Sequence, residues 1–162
     1  MGTTFVRIGG RGFWMLDSVL ELWLRLLALH VEDPVESGAP ATKIRDQWLL
    51  ASRGFFTGCV PEGLEAAVST PEGDKLVREA IGSLMESLRS APPHLSTGVL
   101  NLLGFVGGEF TTDIETWRLV EVGHAYLALL DGKVTSGPSD SSFMPGCQGA
   151  KHAAPDAVDG GA

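Results

Sequence analysis

Cysteine is nearly absent: Cys59 and Cys147 stand alone, too few and too far apart for a disulfide framework or a CxxC metal knuckle. Lysine is scarce too, four residues against eight arginines, and no basic run occurs anywhere. With twenty acidic side chains the formal net charge is −8. A field of that sign repels phosphate backbones and anionic lipid, which argues against nucleic acid and membrane surfaces as partners. No apolar run is long enough to span a bilayer. The best stretch, Val19 to Val31, is interrupted by Glu21, Arg25 and His30 and falls short of the roughly 20 residues needed. Met1-Gly2-Thr3-Thr4-Phe5-Val6 has neither the apolar core nor the cleavage site of a signal peptide, and Val6 stands where myristoylation takes Ser or Thr. A cytoplasmic location is therefore expected.

Catalytic signatures are missing as well. The chain contains no GxSxG elbow, no HExxH zinc motif and no EF-hand loop. Gly9-Gly10-Arg11-Gly12 offers N–H groups and a guanidinium to an anion, but it matches neither GxxxxGK[ST] nor GxGxxG. A hairpin turn accounts for its glycines. No catalytic residue and no cofactor is assigned on these grounds.

What is present describes a core-forming chain of mainly α class. Its 162 residues are 44% hydrophobic, ample for one domain without a staple. Residues 1–134 read as a single mainly helical domain, a compact bundle of about five helices with a small N-terminal β-hairpin. Residues 135–162, dominated by Gly, Ser, Pro, Ala and Asp, read as a disordered tail. The hairpin is read from two apolar runs, Phe5-Val6-Arg7-Ile8 and Phe13-Trp14-Met15-Leu16, around the four-residue glycine turn.

Ser18-Val19-Leu20-Glu21 has the form of a capping box, with Asp17 as an alternative cap. The helix behind it is apolar on most sides apart from Glu21, Arg25 and Glu32, which marks it as central. Ile44, Trp48, Ala51 and Phe55 recur at helical spacing and predict a second helix over residues 41–55. Pro61-Glu62 can open a short helix through Val68. Thr70-Pro71-Glu72 starts a long helix through Arg89, stopped by Pro92-Pro93. A short apolar helix follows over 96–103. A second capping box, Thr112-Asp113-Ile114-Glu115, opens a last helix to about Leu130, with Gly132 placed for a left-handed stop.

Three function classes compete. The first is a non-enzymatic protein-binding module, with the generic profile of an acidic bacterial inhibitor or immunity-type protein that occupies a basic partner. The Arg-over-Lys balance, a single Asn and abundant Ala and Gly fit a GC-rich bacterial coding sequence. Its anchors are Trp14 and Trp117, which flank helix starts, while Trp23 and Trp48 sit on core faces. Its charged surface is Glu62, Glu65, Glu72, Asp74, Glu79 and Glu86, an acidic excess over Lys75 and Arg78. As solvated helix faces, these acids need no partner at all.

The second class is a metal-dependent enzyme or metal-binding protein using Glu121 and His124. An i,i+3 Glu-x-x-His pair shares one helix face, although dinuclear bundle sites need two copies and this chain has one. His30, at the end of the first helix, suits the helix dipole when protonated; His94 falls in a loop and His152 in the tail. Cys59 reads as a small buried thiol. The third class is a self-associating structural or accessory subunit.

Overall fold

The computed structural model describes residues 2–31, 40–105 and 108–147. Along the chain run β1 (Thr3–Ile8), β2 (Arg11–Leu16), α1 (Asp17–Ala28), α2 (Pro40–Ala51), α3 (Leu64–Ala67) and α4 (Pro71–Ser90). They are followed by β3 (His94–Leu95), α5 (Thr97–Leu102), β4 (Ile114–Glu115) and α6 (Thr116–Leu130). Helix dominates the described residues, which hold six helices where about five were expected, α3 and α5 being short.

The hairpin forms where the apolar runs place it, but its turn is tighter than the four-residue loop expected. Ile8 pairs with Arg11, which leaves only Gly9 and Gly10 in the turn. Both have positive φ, +57° and +81°, the conformation that two-residue hairpin turns require and that glycine adopts without strain. Arg11 and Gly12 belong to β2. At Gly12 a side chain has no room, because a Cβ would lie 1.8 Å from the Val6 carbonyl oxygen. Val6, Phe13 and Met15 face the core, while Phe5 and Trp14 stack across the pair at 5.3 Å.

From β2 the chain enters α1 directly. Leu16 occupies the N-cap without a side-chain bond, so the Ser18–Glu21 capping box does not form. Asp17 is drawn away to long-range partners instead. Its two oxygens accept from Thr4 Oγ1 at 2.7 Å and from the Gly58 amide at 2.7 Å. Thr4 Oγ1 in turn accepts from the Val60 amide at 2.9 Å, and the loop after α2 is thereby tied to the hairpin. Nine of the twelve α1 residues are buried, as its nearly all-round apolar pattern demands. It packs against α2, α4 and both hairpin strands, and Trp23 meets Tyr126 of α6 at 5.6 Å. Glu32 lies outside the described residues.

α2 stops at Ala51 rather than Phe55, with Gly54 at φ +86° beyond it; Phe55 is exposed. α4 begins and ends as its local chemistry dictates. Thr70 Oγ1 accepts from the Gly73 amide at 3.1 Å, with Pro71 in the first turn. α4 and α6 pack closely at Gly123, where a Cβ would lie 2.5 Å from Met85 Sδ. The second capping box is also displaced: Ile114–Glu115 pairs with His94–Leu95 as a two-residue ladder. Asp113 Oδ1 accepts from the Thr97 amide at the start of α5, 2.8 Å away. α6 therefore starts at Thr116 and runs to Leu130, with Gly132 at φ +70° after it.

The stretch expected to be a tail from residue 135 is held against the domain over its described part. The Ser136 carbonyl accepts the Gly12 amide at 2.9 Å and the Pro138 carbonyl accepts Trp14 Nε1 at 2.9 Å. Phe143 meets Phe13 edge-on at 6.1 Å. Arg118 Nη1 donates to the Cys147 carbonyl at 2.7 Å, and the Gly146 amide donates to Glu121 at 3.0 Å. The reason is the aromatic surface of β2, which this strap covers. Residues 148–162 lie outside the described residues. No described helix is long and apolar enough to cross a membrane.

Candidate functional site

A cleft of about 580 Å³ opens beside the first turns of α1. Its walls come from Gly2, from Leu16 to Val19 with Glu21, from Gly54, Phe56 and Thr57, from Phe105 and the residues Gly108 to Thr112 with Ile114, and from Arg118, Gly146 and Cys147. Phe56, Phe105 and Phe110 supply apolar wall. Asp17, Glu21 and Glu109 supply carboxyl groups.

Glu21 is the chemically unusual member. α1 places it one turn after Asp17 within a helix whose neighbouring side chains are apolar. It is 6% exposed and no hydrogen bond reaches its carboxyl group from any described residue. Burial, reinforced by the Asp17 charge and offset in part by Arg25, pushes its pKa up to about 7. Removing an ion from water without a compensating partner favours the neutral form. Near neutral pH this carboxyl group thus exchanges its proton readily, as acid–base groups do.

Arg25, one turn further on, does not neutralise it. The guanidinium is turned to the Ser52 carbonyl at 2.9 Å, to Ser52 Oγ at 3.5 Å and to the Leu103 carbonyl, and it lies 4.2 Å over the Phe105 ring. Burial lowers its pKa, and those carbonyls hold the charge in place. Arg118 is likewise engaged, with Glu115 at 2.8 Å and the Cys147 carbonyl.

The residues singled out from the sequence scatter. Trp14 is half-buried beneath the strap and spends its indole N–H on Pro138. Trp117 is 54% exposed on the first turn of α6, with the Arg118 guanidinium 4.6 Å over its ring. Glu62 accepts from the Leu64 amide and starts α3; burial raises its pKa. Glu65 accepts the Gly9 amide at 2.9 Å, so the glycine turn holds a carboxylate of its own chain. Asp74 pairs with Arg78 at 2.9 Å, and Arg78 reaches Asp131 at 2.7 Å. Glu72, Glu79 and Glu86 are exposed on α4 at seven-residue intervals, two helical turns apart and therefore along one side. Glu79 and Glu86 have loose partners in Lys75 at 3.8 Å and Arg89 at 3.4 Å.

The remaining sequence candidates lie as follows. Glu121 takes the Gly146 amide while His124 is exposed. No group of three His, Cys, Asp or Glu side chains suited to a metal ion occurs among the described residues. His30 contacts Ser83 Oγ at 2.8 Å, and burial lowers its pKa, which favours the neutral ring over the protonated one expected at a helix end. Cys59 is exposed, not buried. His94 lies in β3, and His152 lies outside the described residues. The cleft itself was missed. Its one sequence signal was Glu21, a carboxylate amid apolar helix neighbours, which the capping reading absorbed.

Comparison with family models, with curated proteins and with solved structures finds no match to this chain.

Proposed function

We propose that the chain is a non-enzymatic binding protein of the acidic inhibitor or immunity type, which occupies a basic partner protein. The observation that carries the reading is Trp117. Trp23 and Trp48 are 0% and 1% exposed, whereas Trp117 is 54% exposed. A large indole held in water beneath a guanidinium is the composition of interface anchors, in which Trp and Arg are enriched. The net charge of −8 and the exposed row Glu72, Glu79 and Glu86 support a basic partner, because complementary charge accelerates encounter. A self-associating subunit is the second reading, favoured by Leu102 and Leu29, 86% and 73% exposed.

The test is site-specific photo-crosslinking in cells of the source organism, with the reactive group at position 117 and, as control, at the exposed position 140. The reading expects one basic protein captured from 117 and not from 140. With that protein purified, Trp117→Ala weakens the pair roughly tenfold or more, and association slows as salt rises. Capture of the chain itself, with light scattering showing a dimer, selects self-association. Equal capture at both positions, or a purified pair indifferent to Trp117→Ala, overturns the proposal.

A further inference from the structure

We infer that the cleft over Glu21 is a binding site for a primary ammonium ion carrying a hydrocarbon body, with Glu21 as counter-ion and the phenylalanine wall as seat for the body. Three observations converge. Glu21 is more than nine-tenths buried, has no hydrogen-bond partner among the described residues, and lines the cleft. Its oxygens are not among the sealed, unpartnered side-chain atoms of the described residues, Trp23 Nε1 and Tyr126 Oη, so they stay reachable from the cleft that Glu21 lines. A donor entering the cleft supplies the bonds that buried polar groups almost always make.

The charge in the cleft selects the donor. Asp17, Glu21 and Glu109 line it, and its one lining arginine, Arg118, is committed to Glu115 and the Cys147 carbonyl. Anions are repelled by that set. Metal ions lack a ligand cluster among the described residues. The walls then select the body. Phe56, Phe105 and Phe110 favour an aliphatic or aromatic group over a hydrated ion. A volume of about 580 Å³ lies in the range of pockets that take small organic ligands.

Two sources carry this chemistry, a free amine and the side chain of a lysine on a partner protein. The inference stands apart from the Trp117 reading and survives its failure.

Proton linkage gives the site a signature. The charges acting on Glu21 are those of Asp17 and Arg25 on α1; Arg118 of α6, Glu109 and Cys147 line the same cleft. Without ligand Glu21 titrates at about 7, and an ammonium ion binds its ionised form. Binding therefore releases protons near neutral pH and tightens about tenfold from pH 6 to pH 8.

The experiment is titration calorimetry of the full chain at both pH values with phenethylammonium and with Nα-acetyl-lysine methylamide. 2-Phenylethanol serves as the uncharged control. Expected are saturable binding of at least one ammonium probe, tighter at pH 8, with a heat that varies with the buffer's ionisation enthalpy. Which probe binds more tightly assigns the source. Glu21→Gln removes the proton release and weakens binding at pH 8 at least tenfold; Glu109→Gln at the exposed rim weakens it less. Should Glu21→Gln fail to fold, the pH and buffer dependence of the wild-type chain decides. No saturable binding of either probe, equal binding of 2-phenylethanol, or binding independent of pH overturns the inference.

Discussion

Glutamine at position 21 keeps the shape of the side chain and removes its proton equilibrium. In the folded chain the Glu21 pKa is about 7 against an ordinary 4.5. Between those values the folded state holds a proton that the unfolded state has released, so stability falls as pH rises. The favourable contribution is complete below pH 4.5 and lost by about pH 7. A gap of that size corresponds to about 3 kcal/mol. Glu21→Gln escapes the loss, so relative to wild type it gains about 2 kcal/mol of stability on going from pH 5 to pH 8. Carboxylates that do not interact with Glu21 contribute equally to both chains and cancel. Urea denaturation followed by tryptophan fluorescence at the two pH values reads the difference directly. A carboxyl carbon NMR titration of Glu21 gives the midpoint independently. A wild-type-to-variant difference that is the same at pH 5 and pH 8, or a midpoint near 4.5, refutes the reasoning: the carboxyl group is then solvated or paired.

Gly123→Ala introduces a Cβ 2.5 Å from Met85 Sδ and 3.2 Å from Trp23 Cη2. Helix propensity returns about 1 kcal/mol and overpacking takes about 1–3 kcal/mol, so a net loss of up to about 2 kcal/mol and a lower urea midpoint are expected; a raised midpoint contradicts the close approach of α4 and α6. Tyr126→Phe behaves oppositely. The Tyr126 hydroxyl is sealed in the core without a partner among the described residues, so deleting it leaves stability unchanged or raises it by about 1 kcal/mol. A loss in thermal unfolding would assign the hydroxyl a bond.

What the sequence discloses depends on how far apart the interacting groups lie. α4 is legible because Thr70, Pro71 and Pro92-Pro93 act within a turn of its ends. The hairpin is legible from its apolar alternation and glycines. Both capping boxes have the correct local form and fail, because Asp17 finds Gly58 and Asp113 finds Thr97. No local pattern contains those partners. Glu65 also finds a distant partner, closing onto the Gly9 amide of the glycine turn, while Glu62 bonds the nearby Leu64 amide and starts α3. Glu21 shows the limit most clearly. Its apolar neighbours were visible, but the cleft is assembled from stretches of chain as far apart as Gly2 and Cys147.

The strap at residues 136–147 has a consequence for synthesis. The Gly12 amide on β2 and the Trp14 indole find their acceptors in Ser136 and Pro138, the latter 124 residues downstream. While the ribosome is still extending the chain, that strand presents an open row of donors and bare aromatic rings, a template for pairing with another nascent copy. The hairpin therefore leaves the exit tunnel well before the segment that closes over it. Chaperone demand during translation concentrates on the hairpin until residues 136–147 emerge.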